Sequence, residues 1–134
     1  MTSEPAGSRE ERGLSGLDRW AVVVVPFPFT DRVKAKRRPA LVLSRAETFG
    51  SGSGHSVMAM ITSAANAGWP LDAAIEGLSS AGLSAPSVVR MKLFTLDERF
   101  ILRQIGRLGS ADQERVGESL RLLLQGVGRQ ADAK

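Results

Sequence analysis

Val22-Val23-Val24-Val25-Pro26-Phe27-Pro28-Phe29-Thr30-Asp31 leads, after Arg32-Val33-Lys34-Ala35, into Lys36-Arg37-Arg38-Pro39-Ala40-Leu41-Val42-Leu43-Ser44. The run over residues 20–25 is continuously apolar and rich in valine. That reads as a strand buried on both faces, because a half-exposed strand would alternate. Pro26 and Pro28 cannot donate to a ladder, so the strand is expected to end or bulge there. Residues 40–43 form a second apolar run. From Arg32 to Arg45 the chain has six Lys or Arg residues and no acid. Uncompensated positive charge between two buried strands points to phosphate as its contact.

Working outward, 134 residues suffice for one domain with its own core. The net charge of +4, from 18 basic against 14 acidic residues, favours an anionic partner such as nucleic acid or an acidic peptide. Cysteine is absent, which removes disulfides and thiol nucleophiles. A single histidine, His55, excludes a His-rich metal centre and argues against a His-dependent triad. No metal or cofactor is implied. Residues 1–17 are charged and lack an apolar run, so no signal peptide is expected. No apolar stretch reaches membrane-spanning length, and the expectation is a soluble, cytoplasmic protein.

Residues 1–17 and 126–134 are polar and aperiodic and read as an N-terminal arm and a C-terminal tail around one domain over 18–125. Within it, further strands are expected over residues 56–61, 71–75, 87–91 and 100–105, with a flexible Gly/Ser loop over 50–54. Ser110 and Gln113 fit a capping box opening a helix. Val116, Leu120, Leu123, Leu124 and Val127 then follow helical spacing. Gly117, inside that helix, suggests a close approach to the sheet. Short strands followed by one amphipathic helix describe a mainly β (α+β) fold, a small antiparallel barrel capped by a helix.

Four stretches in order resemble the MazF/PemK family of bacterial toxin ribonucleases. They are Val24-Val25-Pro26-Phe27-Pro28-Phe29-Thr30-Asp31, Arg38-Pro39-Ala40-Leu41-Val42-Leu43-Ser44, Met60-Ile61-Thr62-Ser63 and Ser87-Val88-Val89-Arg90. The resemblance implies an SH3-like antiparallel β-barrel with a C-terminal helix, assembled as a homodimer. It implies metal-independent cleavage of single-stranded RNA and restraint by a cognate acidic antitoxin that occupies the same basic groove. The catalytic pair carries over onto Arg38 and Thr62, with Ser63 beside them. Trp20-Ala21 stand where the family opens its first strand with Gly-Asp, and the loop before Arg38 is cationic where the family's is often Gly-rich.

The residues suit that chemistry in part. An arginine fork makes bidentate hydrogen bonds to phosphate, and a threonine hydroxyl can donate to the same oxygens. A guanidinium is a poor general base, which leaves the proton acceptor open. His55 has the better intrinsic pKa and is a candidate assistant, although it follows a Gly/Ser run. Arg32, Lys34, Lys36 and Arg37 are assigned to RNA backbone contact. Trp69, beside Pro70, is a candidate for base stacking or an interface, and Arg90, Lys92, Arg99, Arg103 and Arg107 could extend the basic face. Two other functions remain open: a non-enzymatic, CcdB-like gyrase inhibitor acting through its last helical residues, and a basic barrel that binds RNA without cutting it.

Overall fold

The computed structural model describes residues 17–27 and 36–126. Among them six strands form one curled antiparallel sheet: β1 (Ala21–Phe27), β2 (Lys36–Val42), β3 (His55–Ser63), β4 (Ala73–Ala74), β5 (Ser87–Asp97) and β6 (Arg103–Arg107). The order across the sheet is β4-β5-β3-β2-β1-β6. A helix, Ser110–Leu123, packs on β4 and β5. The small antiparallel fold with a C-terminal helix is therefore as expected. None of the described helices is long and apolar enough to cross a membrane.

β1 is the axis of the sheet. Its residues 21–25 are all buried and feed two cores in alternation. Val22 packs with Leu41, Ala59, Ile61, Val89 and, from the helix, Val116. Val23 and Val25 pack on the other face with Ala40, Val42, Met58, Leu96 and Ile101. Each buried valine contributes about 1.5–3 kcal/mol, and β-branching suits the pleat. Leu17, assigned to the arm by the sequence reading, is buried in the second core at 2% exposure.

Other expectations need correction. β1 continues through Pro26 to Phe27, where Pro26 pairs with Arg37. β6 leaves β1 at Val24, so beyond that point one edge of β1 has no ladder for a proline to interrupt. β4 is only two residues long, since Leu71 has a φ of 69°, incompatible with extended chain. β5 runs to Asp97, well past residue 91, because β3 gives it a partner along its whole length. Phe100 lies in a tight turn, Glu98–Phe100, before β6. Residues 50–54 continue a helical turn, Ala46–Gly50, into Ser51–Ser53, which Gly54 ends at a φ of 74°.

The C-terminal helix starts differently from the proposed capping box. Gly109 is its N-cap, without a side-chain cap, and Gln113 Nε2 donates to the Leu108 carbonyl at 2.8 Å. Its buried face is Asp112, Val116 and Ser119, with Leu120 half-buried, while Leu123 and Leu124 are exposed. Asp112 accepts the N–H groups of Glu76 and Gly77 at 3.0 and 2.9 Å, tying the helix to the chain after β4. Val127 lies outside the described residues.

The two ends of the sheet meet through the short helix Leu78–Ala81, which packs on β6. A Cβ on Gly106 would lie 2.4 Å from the Ala81 carbonyl carbon. Gly117, by contrast, has open space around it rather than a close approach to the sheet. Gly106→Ala is therefore expected to destabilise by about 1–3 kcal/mol in urea denaturation. Gly117→Ala is expected to stabilise by roughly 0.5–1 kcal/mol.

Candidate functional site

The register of β2 and β3 sets the two predicted catalytic residues at the same end of the paired strands. β2 pairs with β3 through Ala40–Met60, Leu41–Ala59 and Val42–Met58. Continuing that register by two residues puts Arg38 level with Thr62. Since side chains alternate, both project from the face that carries Ala40 and Met60. Arg38 is half-buried and makes no hydrogen bond or ion pair to any described residue. Thr62 Oγ1 accepts a hydrogen bond from Asn66 Nδ2 at 2.5 Å. Its own proton is thereby left to donate outward. Asn66 was not apparent from sequence; the only signal is its position four residues after Thr62, across a tight turn that its N–H closes on Ser63 O at 3.1 Å.

A cleft of about 270 Å³ opens beside Arg38. Its floor is Val24, which pairs with Pro39 on one side and Arg103 on the other. Gly82, Leu83, Ser84, Arg37, Arg38 and Arg103 also line it, and none of the described lining residues is acidic. None of these three arginines has a charged partner among the described residues. Elsewhere Arg90 pairs with Asp72, Arg99 with Asp97, Arg115 with Asp112 and Glu76, and Arg121 with Glu118. Like charges gathered around one cleft repel each other, and an anion placed there would relieve that repulsion. Lys36 is exposed at the start of β2, and Lys92 Nζ sits 5.5 Å from the Phe27 ring centroid.

A family model described as the PemK-like, MazF-like toxin of type II toxin–antitoxin systems matches residues 18–124. The chain belongs to this family. Among solved structures, MazF from Deinococcus radiodurans is 28% identical, with a TM-score of 0.62, covering 80% of this chain and 94% of that one. A MazE–MazF structure from the same organism gives 26% identity and a TM-score of 0.64 over the same shares. An endoribonuclease in complex with its cognate antitoxin, from a mycobacterial species, has a TM-score of 0.64 at 17% identity. It covers 80% of this chain and 93% of that one, and shows likeness of fold alone. No curated protein sequence matches the chain.

The family's Gly-Asp opening can be compared with what stands here. Trp20 has a φ of 80°, a backbone conformation that favours glycine. It is held there by its N–H to Val42 O at 2.7 Å, by Leu108 N–H to its carbonyl at 2.9 Å, and by Arg19 over its ring at 5.6 Å. The indole packs, partly buried, against the first core.

The other predicted residues separate. His55 begins β3, seven residues from Thr62, which is roughly 23 Å along a strand. It pairs with Asp97, and its Nδ1 lies 2.9 Å from Ser53 O. Asp97 is itself lowered to about 2, first by the Arg99 side-chain hydrogen bonds. His55 is therefore remote from the Arg38–Thr62 site. Ser63 falls on the alternate face of β3, and its Oγ accepts the Ala65 N–H at 3.1 Å, closing the turn. Arg99 is spent on Asp97, and Arg107 donates to the Arg19 carbonyl at 3.3 Å. Arg32 and Lys34 lie outside the described residues.

One buried cation supports the site. Between Ala59 and Met60 the β3–β5 register shifts, so that Ala59 pairs with Leu93 but Met60 with Arg90. Arg90 donates to both Asp72 oxygens at 3.1 and 2.8 Å and to Ala67 O at 2.7 Å. The Asp72 carboxyl is held below its usual range, first by the Arg90 hydrogen bonds, against the opposing effect of burial. A carboxylate depressed in the folded state stabilises above its unfolded pKa, and that stability is lost as pH falls through the folded value. Asp72→Asn is therefore expected to lower the urea midpoint at neutral pH. The gap from wild type should begin to narrow as pH falls below the unfolded carboxylate's value of about 4 and close as it passes through the lowered native one. A gap that stays constant to about pH 3 would show that the charge of Asp72 is not what stabilises the loop.

Proposed function

We propose that this toxin is an endoribonuclease that cleaves single-stranded RNA without a metal ion. The ribose 2′-oxygen attacks the adjacent phosphorus, the bond to the 5′-oxygen breaks, and the ends are a 2′,3′-cyclic phosphate and a 5′-hydroxyl. What supports this reading is an Arg38 guanidinium with no partner among the described residues, in a strand whose register with β3, carried two residues past Ala40–Met60, would set it level with a Thr62 hydroxyl whose oxygen is already engaged by Asn66. Arg38 presents a planar fork to the two non-bridging oxygens, where charge accumulates in the transition state. Thr62 donates a further hydrogen bond to one of them. A guanidinium has donors and no acceptor, so its role is charge stabilisation, while solvent takes the proton released by the 2′-hydroxyl and supplies the one that the departing 5′-oxygen needs.

Arg37 and Arg103 hold a neighbouring phosphate at the cleft, while Lys36, together with Arg32 and Lys34, steers the backbone. The same surface takes an acidic antitoxin segment, and the toxin assembles as a homodimer. The structures of MazE–MazF support the antitoxin assignment.

Purified protein incubated with a long unstructured RNA in EDTA is expected to cut it. Arg38→Ala should slow cutting by about 10²–10³-fold, the cost of losing one preorganised oxyanion donor. Thr62→Val, which keeps the shape, should cost roughly tenfold. Placing 2′-deoxyribose at a mapped cut site should abolish cleavage there; persistent cutting would refute attack by the 2′-oxygen. Wild-type rates in Arg38→Ala would move the site elsewhere.

A further inference from the structure

Beside the Arg38–Thr62 pair, the structure holds an aromatic ring in the open. Trp69 is 44% exposed, an unusual setting for an indole. It does not hang free. The Trp69 backbone N–H donates to Asp72 Oδ2 at 2.9 Å, and the guanidinium of Arg90 lies over its ring, 5.1 Å from the centroid. Arg90 is anchored in turn by Asp72 and by Ala67 O, and Leu71 follows in a strained backbone conformation with a φ of 69°. Strain of this kind persists only where neighbouring contacts over-determine it. One face of the indole is thus occupied by a cation that is already neutralised, and the exposed area of the ring looks outward.

The location matters as much as the posture. Arg90 pairs with Met60, two residues or roughly 7 Å along β3 from Thr62, and on the same face. The segment between them is braced twice, by Asn66 on Thr62 and by Arg90 on Ala67. Trp69 and Thr62 therefore lie on one braced segment.

We infer that Trp69 is the stacking platform for an unpaired nucleobase next to the scissile phosphate, with Arg90 and Asp72 as its positioning residues. This rests on the reading of the protein as a toxin that binds single-stranded RNA. Single-stranded nucleic acids are held by cationic contacts to phosphates together with aromatic rings on which bases stack. Here the arginines provide the first, and Trp69 provides the second. Stacking on an indole tolerates any base, so Trp69 sets the position of the strand relative to Arg38, and selection among bases falls to other groups.

The test uses the full chain and an RNA oligonucleotide carrying 2′-deoxyribose at a mapped cut site, so that it binds without being cut. The chain has two tryptophans, and in Trp20→Phe the only indole emission is that of Trp69. Binding of the oligonucleotide, followed independently by anisotropy of a labelled strand, is expected to quench that emission. Trp69→Ala should weaken binding about tenfold at constant salt, Trp69→Phe should retain most of the affinity, and the slope of affinity against salt should not change. Should Trp20→Phe fail to fold, the wild-type minus Trp69→Ala difference in quenching gives the same reading. Tight binding with no quenching, or full affinity in Trp69→Ala, overturns the platform while leaving RNA binding intact. Absence of any RNA binding by the wild-type protein overturns both. Quenching together with intact all-ribose RNA supports the platform and refutes only the nuclease assignment.

Discussion

The β1–β2 ladder is the constraint on which the rest depends. It joins the strand that is buried on both faces to the strand that carries the arginines, with Val25 opposite Arg38 and Val24 opposite Pro39. Because strand side chains alternate, a slip of one residue would swap Arg38 for Arg37 on the Thr62 face and put Ala40 and Val42 in the wrong core. The hydrophobic cost of such a slip, several buried side chains at once, is what holds the site in register. The cationic groups need no partner of their own to be positioned. Burial fixes the backbone, and the backbone presents the charge.

This division of labour explains the charge pattern of the molecule. Four arginines are neutralised by nearby carboxylates, and of these Arg90 also braces the chain between β3 and β4. Arg37, Arg38 and Arg103 instead line a cleft whose described lining residues include no acid. Closure depends on Gly106 and Gly82, which let the backbone at Ala81 approach β6 more tightly than any side chain would allow. Core packing and the cationic cleft thus meet at the same few residues. Unpaired charge is costly there, which is the expected signature of a surface that binds phosphate.

Much of the fold was legible in the chain. The valine run, the proline after it, the later apolar runs and the helical spacing before Leu123 all correspond to observed elements. Failures came where a local signal was outvoted by a tertiary partner. Pro26 does not end β1, because that edge of the strand has no ladder to lose. β5 outruns its apolar core because β3 continues beside it. Ser110 does not cap its helix, because Gly109 and Gln113 already arrange that turn. Leu71 looks like a strand residue and takes a left-handed turn, because Arg90 and Asp72 pull the chain around it.

The candidate site divides along the same line. From the sequence came Arg38 and Thr62, through motifs whose residue types suit phosphate chemistry, and the placement of cationic residues ahead of a buried strand. The chain alone could not tell which of the basic residues are already neutralised, since Arg90 and Arg103 look alike in a string of letters. Nor could it separate His55 from the pair, because the 16 residues of sequence between Arg38 and His55 say nothing about which end of β3 faces the cleft. Strand register, a property of paired backbones, set those distances. The exposure of Trp69 over Arg90 is likewise a tertiary outcome, because a side chain's surroundings are supplied by segments far from it in sequence.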